Sequence, residues 1–160
     1  MESKASEIKR KVMLAMCNSE KIVSLIDNKD IEYPDDLIDT NIFPYLKIDY
    51  TVQDAGTYIG VAVDFPTINR NEIYKDMRLT ILIVVSNGKM RMDGGENSGM
   101  CRTDLIAEEL MNALDWNTFL GFKLRLYADR EDVFNESFYC RKLVFTSVSD
   151  NGIKNGVKVN

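Results

Sequence analysis

The order in which apolar periodicities follow one another constrains this chain more than any single residue does. Helical spacing at the N-terminus gives way to three strand-like runs, a long polar Gly-rich stretch, one amphipathic helix and two further strands. That order predicts an α+β fold: a single domain with one mostly antiparallel, curved sheet of about five strands, a helix packed on it, and N-terminal helices. One domain is also the expectation for 160 residues, and a chain of that length buries roughly 70% of its unfolded surface. The domain is expected to span 1–148, with a helical segment at 1–28, an acidic irregular wrap at 29–54 and a long polar loop at 86–102. A polar tail at 149–160 follows.

Helical spacing over 6–16 carries Ile8, Val12 and Met16, and Asn18 or Ser19 can cap a continuation bearing Ile22, Val23 and Ile26. This reads as a helix pair or as one broken helix. Asp30, Glu32, Asp35, Asp36 and Asp39 then make the chain acidic, and Pro34 and Pro44 exclude a continuous regular element. Ile42, Phe43 and Tyr45 are expected to anchor this wrap before a first strand at 46–51. Over 58–64, Ile59, Val61 and Val63 alternate with Tyr58, Gly60 and Ala62, so one face is apolar and the other small enough for close packing. The run 79–85 is apolar almost throughout, as in a central strand covered on both faces. Its second cover would be the N-terminal helices, the acidic wrap or another subunit.

The stretch 86–102 contains Gly88, Gly94, Gly95 and Gly99 among mixed charges, longer than a loop without a role usually is. Thr103 or Asp104 is expected to cap the next helix, whose buried stripe is Ile106, Ala107, Leu110, Ala113 and Leu114. Glu108 and Glu109 diverge by about 100° on that helix and so do not form a catalytic pair. Trp116, Phe119 and Phe122 mark the return to the sheet. Strands are expected at 122–127 and 137–147, joined by a polar hairpin connection at 128–136, with a slip of alternation near Lys142 that a bulge would explain. The tail bears only Ile153, Val157 and Val159 as apolar residues. It cannot bury itself alone, and is expected either to be disordered or to add to a neighbour.

The chemistry absent from the sequence is equally restrictive. With no histidine, Ser-His-Asp and Cys-His nucleophile systems cannot be built. Cys17, Cys101 and Cys140 are too few for a four-thiolate zinc site and read as free thiols rather than a disulfide framework. Asp93, Glu96, Asn97 and Ser98 do not have the spacing of a calcium loop, and Gly94 and Gly95 lack the Gly-Lys-Ser/Thr ending of a phosphate cradle. No catalytic, cofactor or metal residue is therefore expected, and no enzymatic activity. A net charge of −5 argues against gripping nucleic acid through its phosphates. No signal-peptide core and no apolar run of membrane-spanning length is present, so the chain is expected to be cytosolic where it is made and to have no membrane partner.

The order of elements, with the segments NIFPYLKIDY, IYKDMRLTILIVVSN and CRTDLIAEELMNAL, resembles the tail terminator (tail completion) proteins in the necks of long-tailed bacteriophages, over about 42–148. The resemblance implies a structural virion protein: a homo-oligomeric ring, typically a hexamer, that caps the tail tube, ends its growth and joins tail to head. Its implied partners are its own copies, the tail tube protein and a stopper or connector neck protein. DNA would pass through the ring without specific binding, its sliding eased by an acidic lumen. It implies a location in the virion neck after assembly in the host cytoplasm, and no cofactor. A stopper or head-tail connector ring is the nearest alternative, and a small cytosolic ligand-binding or regulatory domain using the loop 86–102 as a lid is an alternative of another class. The expected contact residues are Lys89, Arg91, Asp93, Glu96 and Arg102 in the loop, and Ile153 and Val157 in the tail, all solvated in the free protomer.

Overall fold

The computed structural model describes residues 3–46, 55–65 and 77–148. Two capped helices open the chain. In α1 (Lys4–Cys17) the Ser3 side chain accepts from the Ser6 N–H at 3.1 Å, and in α2 (Glu20–Ile26) the Ser19 side chain accepts from the Ile22 N–H at 3.3 Å. Each cap satisfies one of the orphan N–H groups of a helix start. The N-terminal segment is thus a helix pair, and Asp27, in the left-handed region at φ 54°, ends the second helix.

The described part of the acidic wrap, residues 29–46, holds more regular structure than its prolines predict. A 3₁₀ turn, Pro34–Leu37, begins at Pro34 and places Leu37 fully in the core. The wrap then contributes a short strand, β1 (Ile42–Phe43), which runs parallel to the next strand with Ile42 opposite Ile59 and Phe43 opposite Gly60. Ile42 and Phe43 are buried as expected of anchors, whereas Tyr45 is half exposed and stacks on Phe43 at 5.5 Å. Of the strand predicted over 46–51, residues 47–51 lie outside the described residues.

The sheet is an open, five-stranded, mostly antiparallel one in the order β1-β2-β3-β5-β4, with β2 at Thr57–Asp64, β3 at Arg78–Ser86, β4 at Lys123–Asn135 and β5 at Phe138–Val148. The fold class is α+β. Two further helices complete it: the single-turn α3 (Asn87–Met90) directly after β3, and the longer α4 (Arg102–Leu114). The stripe Ile106, Ala107, Leu110 and Leu114 of α4 is buried, joined by Thr103, while Ala113 is half-buried. Cys101 occupies the cap position of α4 and contributes no side-chain bond, so neither Thr103 nor Asp104 is the cap; Asp104 lies in the first turn, where its charge suits the helix dipole.

Helices α1, α2 and α4 cover one face of the sheet, on which Ile59, Val61, Leu79, Ile81, Ile83 and Phe145 form the main core. On the opposite face Tyr58 and Val84 pack with Phe43 and Cys140 in a second cluster. The central strand β3 is therefore apolar on both sides, and the wrap supplies part of the second cover. Gly60 shows how closely: an ideal Cβ built there would lie 2.5 Å from the Tyr45 carbonyl oxygen and 3.0 Å from the Leu46 Cα.

The C-terminal hairpin corrects two expectations. Residues 128–135 continue β4 rather than forming a connection, and only Glu136 and Ser137 turn the chain. Asn135 makes so short a turn possible, its side-chain carbonyl accepting from the N–H groups of Ser137 (2.8 Å) and Phe138 (3.1 Å). The irregularities lie on β4, between Leu126 and Ala128 and between Val133 and Asn135, while β5 pairs with β3 without interruption from Phe138 to Thr146. The slip near Lys142 is a change of face. Cys140 serves the second cluster, whereas Leu143 and Phe145 serve the main core.

The three cysteines are free, with Cys17 and Cys140 buried and Cys101 exposed. Burial, with Asp35 adding to it, pushes the Cys17 thiol up to about 11, and burial also raises Cys140, followed by the charge of Asp132. Because the thiolate is the reactive form, an alkylating reagent at pH about 8.5 is expected to label Cys101 alone in the folded protein. Intact mass should show one adduct under native conditions and three in denaturant; a second rapid native adduct would contradict the burial of the other two.

Candidate partner-binding site

The stretch expected to be a long loop is largely built. Asn87–Met90 is helical, Arg102 already belongs to α4, and an antiparallel bridge between Arg91 and Cys101 closes the remainder. Inside that closure the Met92 N–H donates to the Met100 carbonyl at 2.8 Å and the Gly99 N–H to the Met92 carbonyl at 2.9 Å. Gly94, Gly95 and Gly99 all have φ between 72° and 85°, the left-handed backbone that such tight turns require. The result is a compact arm beside the β4–β5 hairpin.

Between arm and hairpin lies an open cleft of about 570 Å³, bounded by Met90, Arg91 and Cys101 on one side and Glu131, Val133 and Tyr139 on the other. Met100 (49% exposed), Val133 (60%) and Tyr139 (42%) leave apolar surface at this end of the molecule. Arg141 fixes the hairpin's position. Its Nε and Nη2 donate to the two carboxylate oxygens of Asp129 at 2.7 and 2.9 Å, and its Nη1 donates to Asp104 at the start of α4 at 2.7 Å. Asp129 is the main cause that holds the guanidinium pKa above its ordinary value, so this charge is committed to tying β4, β5 and α4 together.

The sequence-predicted contact residues fare differently. Arg91 lines the cleft, while Asp93 and Glu96 are exposed on the arm beyond it. Lys89 is half-buried and lines a separate polar cleft of about 500 Å³ next to Asp27, Asn28 and Asn41. Arg102, expected to be solvated, is 8% exposed. Its Nε donates to the Lys89 carbonyl at 2.9 Å and its Nη1 to the Leu25 carbonyl, so it fastens the arm to the end of α2 and is unavailable to a partner. Ile153 and Val157 lie outside the described residues. What the sequence reading missed is the positive face of the sheet formed by Arg78, Arg125, Arg130 and Lys142. The regular alternation of Lys123 and Arg125 with Leu124 and Leu126 was the one hint of it.

Among the described residues no three Cys, Asp or Glu side chains converge as metal ligands, and no helix is long and apolar enough to cross a membrane. The arrangement offers charged and apolar contact surface. Neither curated proteins nor solved structures gave a match. The family model YomW matches residues 19–147, from the cap of α2 almost to the end of β5. The chain belongs to the YomW family, a family of phage origin.

Proposed function

We propose that this phage protein is a non-catalytic structural component of the virion neck, a ring-forming tail terminator that ends tail-tube growth and joins tail to head. One observation carries the ring: the sheet is open, and its two edges, β1 and β4, carry different surfaces, so copies can associate head-to-tail. The work of such a protein is geometric, performed by rigid protomers repeating one interface until the rotation closes. Its partners are its own copies, closed into a hexamer, the tail tube protein and a stopper or connector protein, with DNA passing through unbound. A stopper or connector ring is the nearest alternative and would dock on the head side rather than on the tube.

Light scattering over a wide concentration range, with electron micrographs of the same fractions and with or without tail tube protein, tests the reading. The expected result is closed rings, free or on tube ends, and tubes that no longer elongate once capped. Protomers that stay monomeric and leave tube growth unchanged would sink it.

A further inference from the structure

The face of the sheet turned away from the helices is basic at the β5–β4 end, although the chain as a whole is acidic. Arg78 and Arg125 flank Thr146 on neighbouring strands, which sets them about 10 Å apart. Lys142 pairs directly with Arg130, about 13 Å further along β5, and Lys123 shares the face. Arg78, Arg125, Arg130 and Lys142 are exposed, and Lys123 is half-buried. Among the described residues none of the five makes an ion-pair contact with a carboxylate. Asp64, directly opposite Arg78 on β2, and Asp132, opposite Cys140, are the only strand carboxylates described on this side. Exposed aromatic rings are interleaved: the Arg78 guanidinium lies 5.8 Å from the Tyr127 ring centre, and that of Arg125 lies 5.6 Å from the Trp116 ring centre. Two like charges directly opposite on adjacent strands, Arg130 and Lys142, destabilise an isolated sheet, so this face is better suited to an assembled state than to a lone protomer.

The complementary surface lies at the other edge of the same sheet. Asp27, Asp30, Glu32, Asp35, Asp36 and Asp39 are all exposed on the wrap that leads into β1, with Lys29 the single cation between them. The wrap joins the sheet there through the parallel Ile38–Ile42 bridge, and Tyr33 stands 63% exposed within it.

We propose that the basic β5–β4 face of one copy receives the acidic wrap of the next, and that this is the repeated head-to-tail interface of the ring. The inference rests on the ring reading above. The occupant is a second copy because charge and position agree. The two patches are opposite in sign and lie toward opposite edges of one sheet, so a growing chain of copies keeps one free patch of each kind, at its two ends, until the ring closes.

Two doubly substituted proteins test this, Arg125→Glu/Arg130→Glu and Asp30→Lys/Asp35→Lys, all at exposed positions, with circular dichroism as the check on folding. Each alone is expected to self-associate on the order of 100-fold more weakly than the parent. An equimolar mixture should recover assembly, since the acidified face of one now meets the basic wrap of the other. Salt should weaken the parent assembly. If either variant assembles like the parent, or if both fail and mixing restores nothing, this interface is wrong while the ring reading stands. A parent chain that is monomeric with and without tail tube protein overturns both. Retardation of duplex DNA by the parent, lost in the Arg125→Glu/Arg130→Glu protein whose assembly is intact, would overturn the proposal by giving the face to nucleic acid.

Discussion

Gly60→Ala is expected to cost about 2–3 kcal/mol and to lower the thermal midpoint by roughly 4–10 °C, a large effect for one methyl group. The methyl would sit 2.5 Å from the Tyr45 carbonyl oxygen and 3.0 Å from the Leu46 Cα, and both obstacles are backbone. A flexible side chain could swing away; these atoms cannot. Nor can β2 retreat, because Gly60 is held between Phe43 of β1 and Leu82 of β3. Relief must come from lifting residues 45–46, which separates the Phe43 and Tyr45 rings and opens the second cluster around Tyr58 and Val84. Gly88→Ala supplies the control. Nothing lies within 4 Å of a Cβ there, and the residue is exposed in α3, so the same change should be neutral or stabilise by up to ~1 kcal/mol. Denaturant midpoints for the two variants check the contrast, and equal effects would refute close packing at Gly60 as the cause.

That packing was partly legible in advance. Gly60 and Ala62 on the second face of β2 pointed to a close neighbour, but only the structure shows that the neighbour is the wrap's own backbone. The apolar stripe of α4 and the two-sided burial of β3 were equally legible, because a helix or strand that packs on its own chain must repeat its apolar residues at the period of the element. The outer half of β4 was not. It is an edge strand whose residues from Asp129 to Asp132 are charged on both faces, as protection against edge pairing favours. A strand with no apolar face has no alternation to detect. The basic face was hidden for another reason: its cations come from three strands as far apart in sequence as Arg78 and Lys142, and only the register of β3, β5 and β4 gathers them. Arg102 was misread because a charged side chain in a polar stretch looks solvated until the helix end that it satisfies is in view.

Arg102→Ala is expected to cost about 3 kcal/mol, and Arg102→Lys to recover little of it. The buried guanidinium donates to two carbonyls that have no substitute: that of Leu25, in the last turn of α2, and that of Lys89, in α3. A charge-assisted bond of this kind contributes roughly 1.5–3 kcal/mol, and a positive group near a helix C-terminus adds a favourable dipole interaction. Removing the side chain leaves a buried carbonyl without its donor and a void beside it. A lysine ammonium carries the charge but lacks the planar fork that reaches two acceptors in different directions. Because the two carbonyls belong to elements on either side of the arm's base, the damage should be local as well as global. Hydrogen exchange at Met92, Gly99 and Met100, whose N–H groups make the arm's internal bonds, should accelerate more than exchange in β3. Uniform acceleration, with the arm no worse than the sheet, would show that Arg102 contributes to overall stability without fastening the arm. If the arm also contacts a neighbour, as its exposed Arg91, Asp93 and Glu96 allow, loss of this clasp should weaken ring closure even where the protomer remains folded.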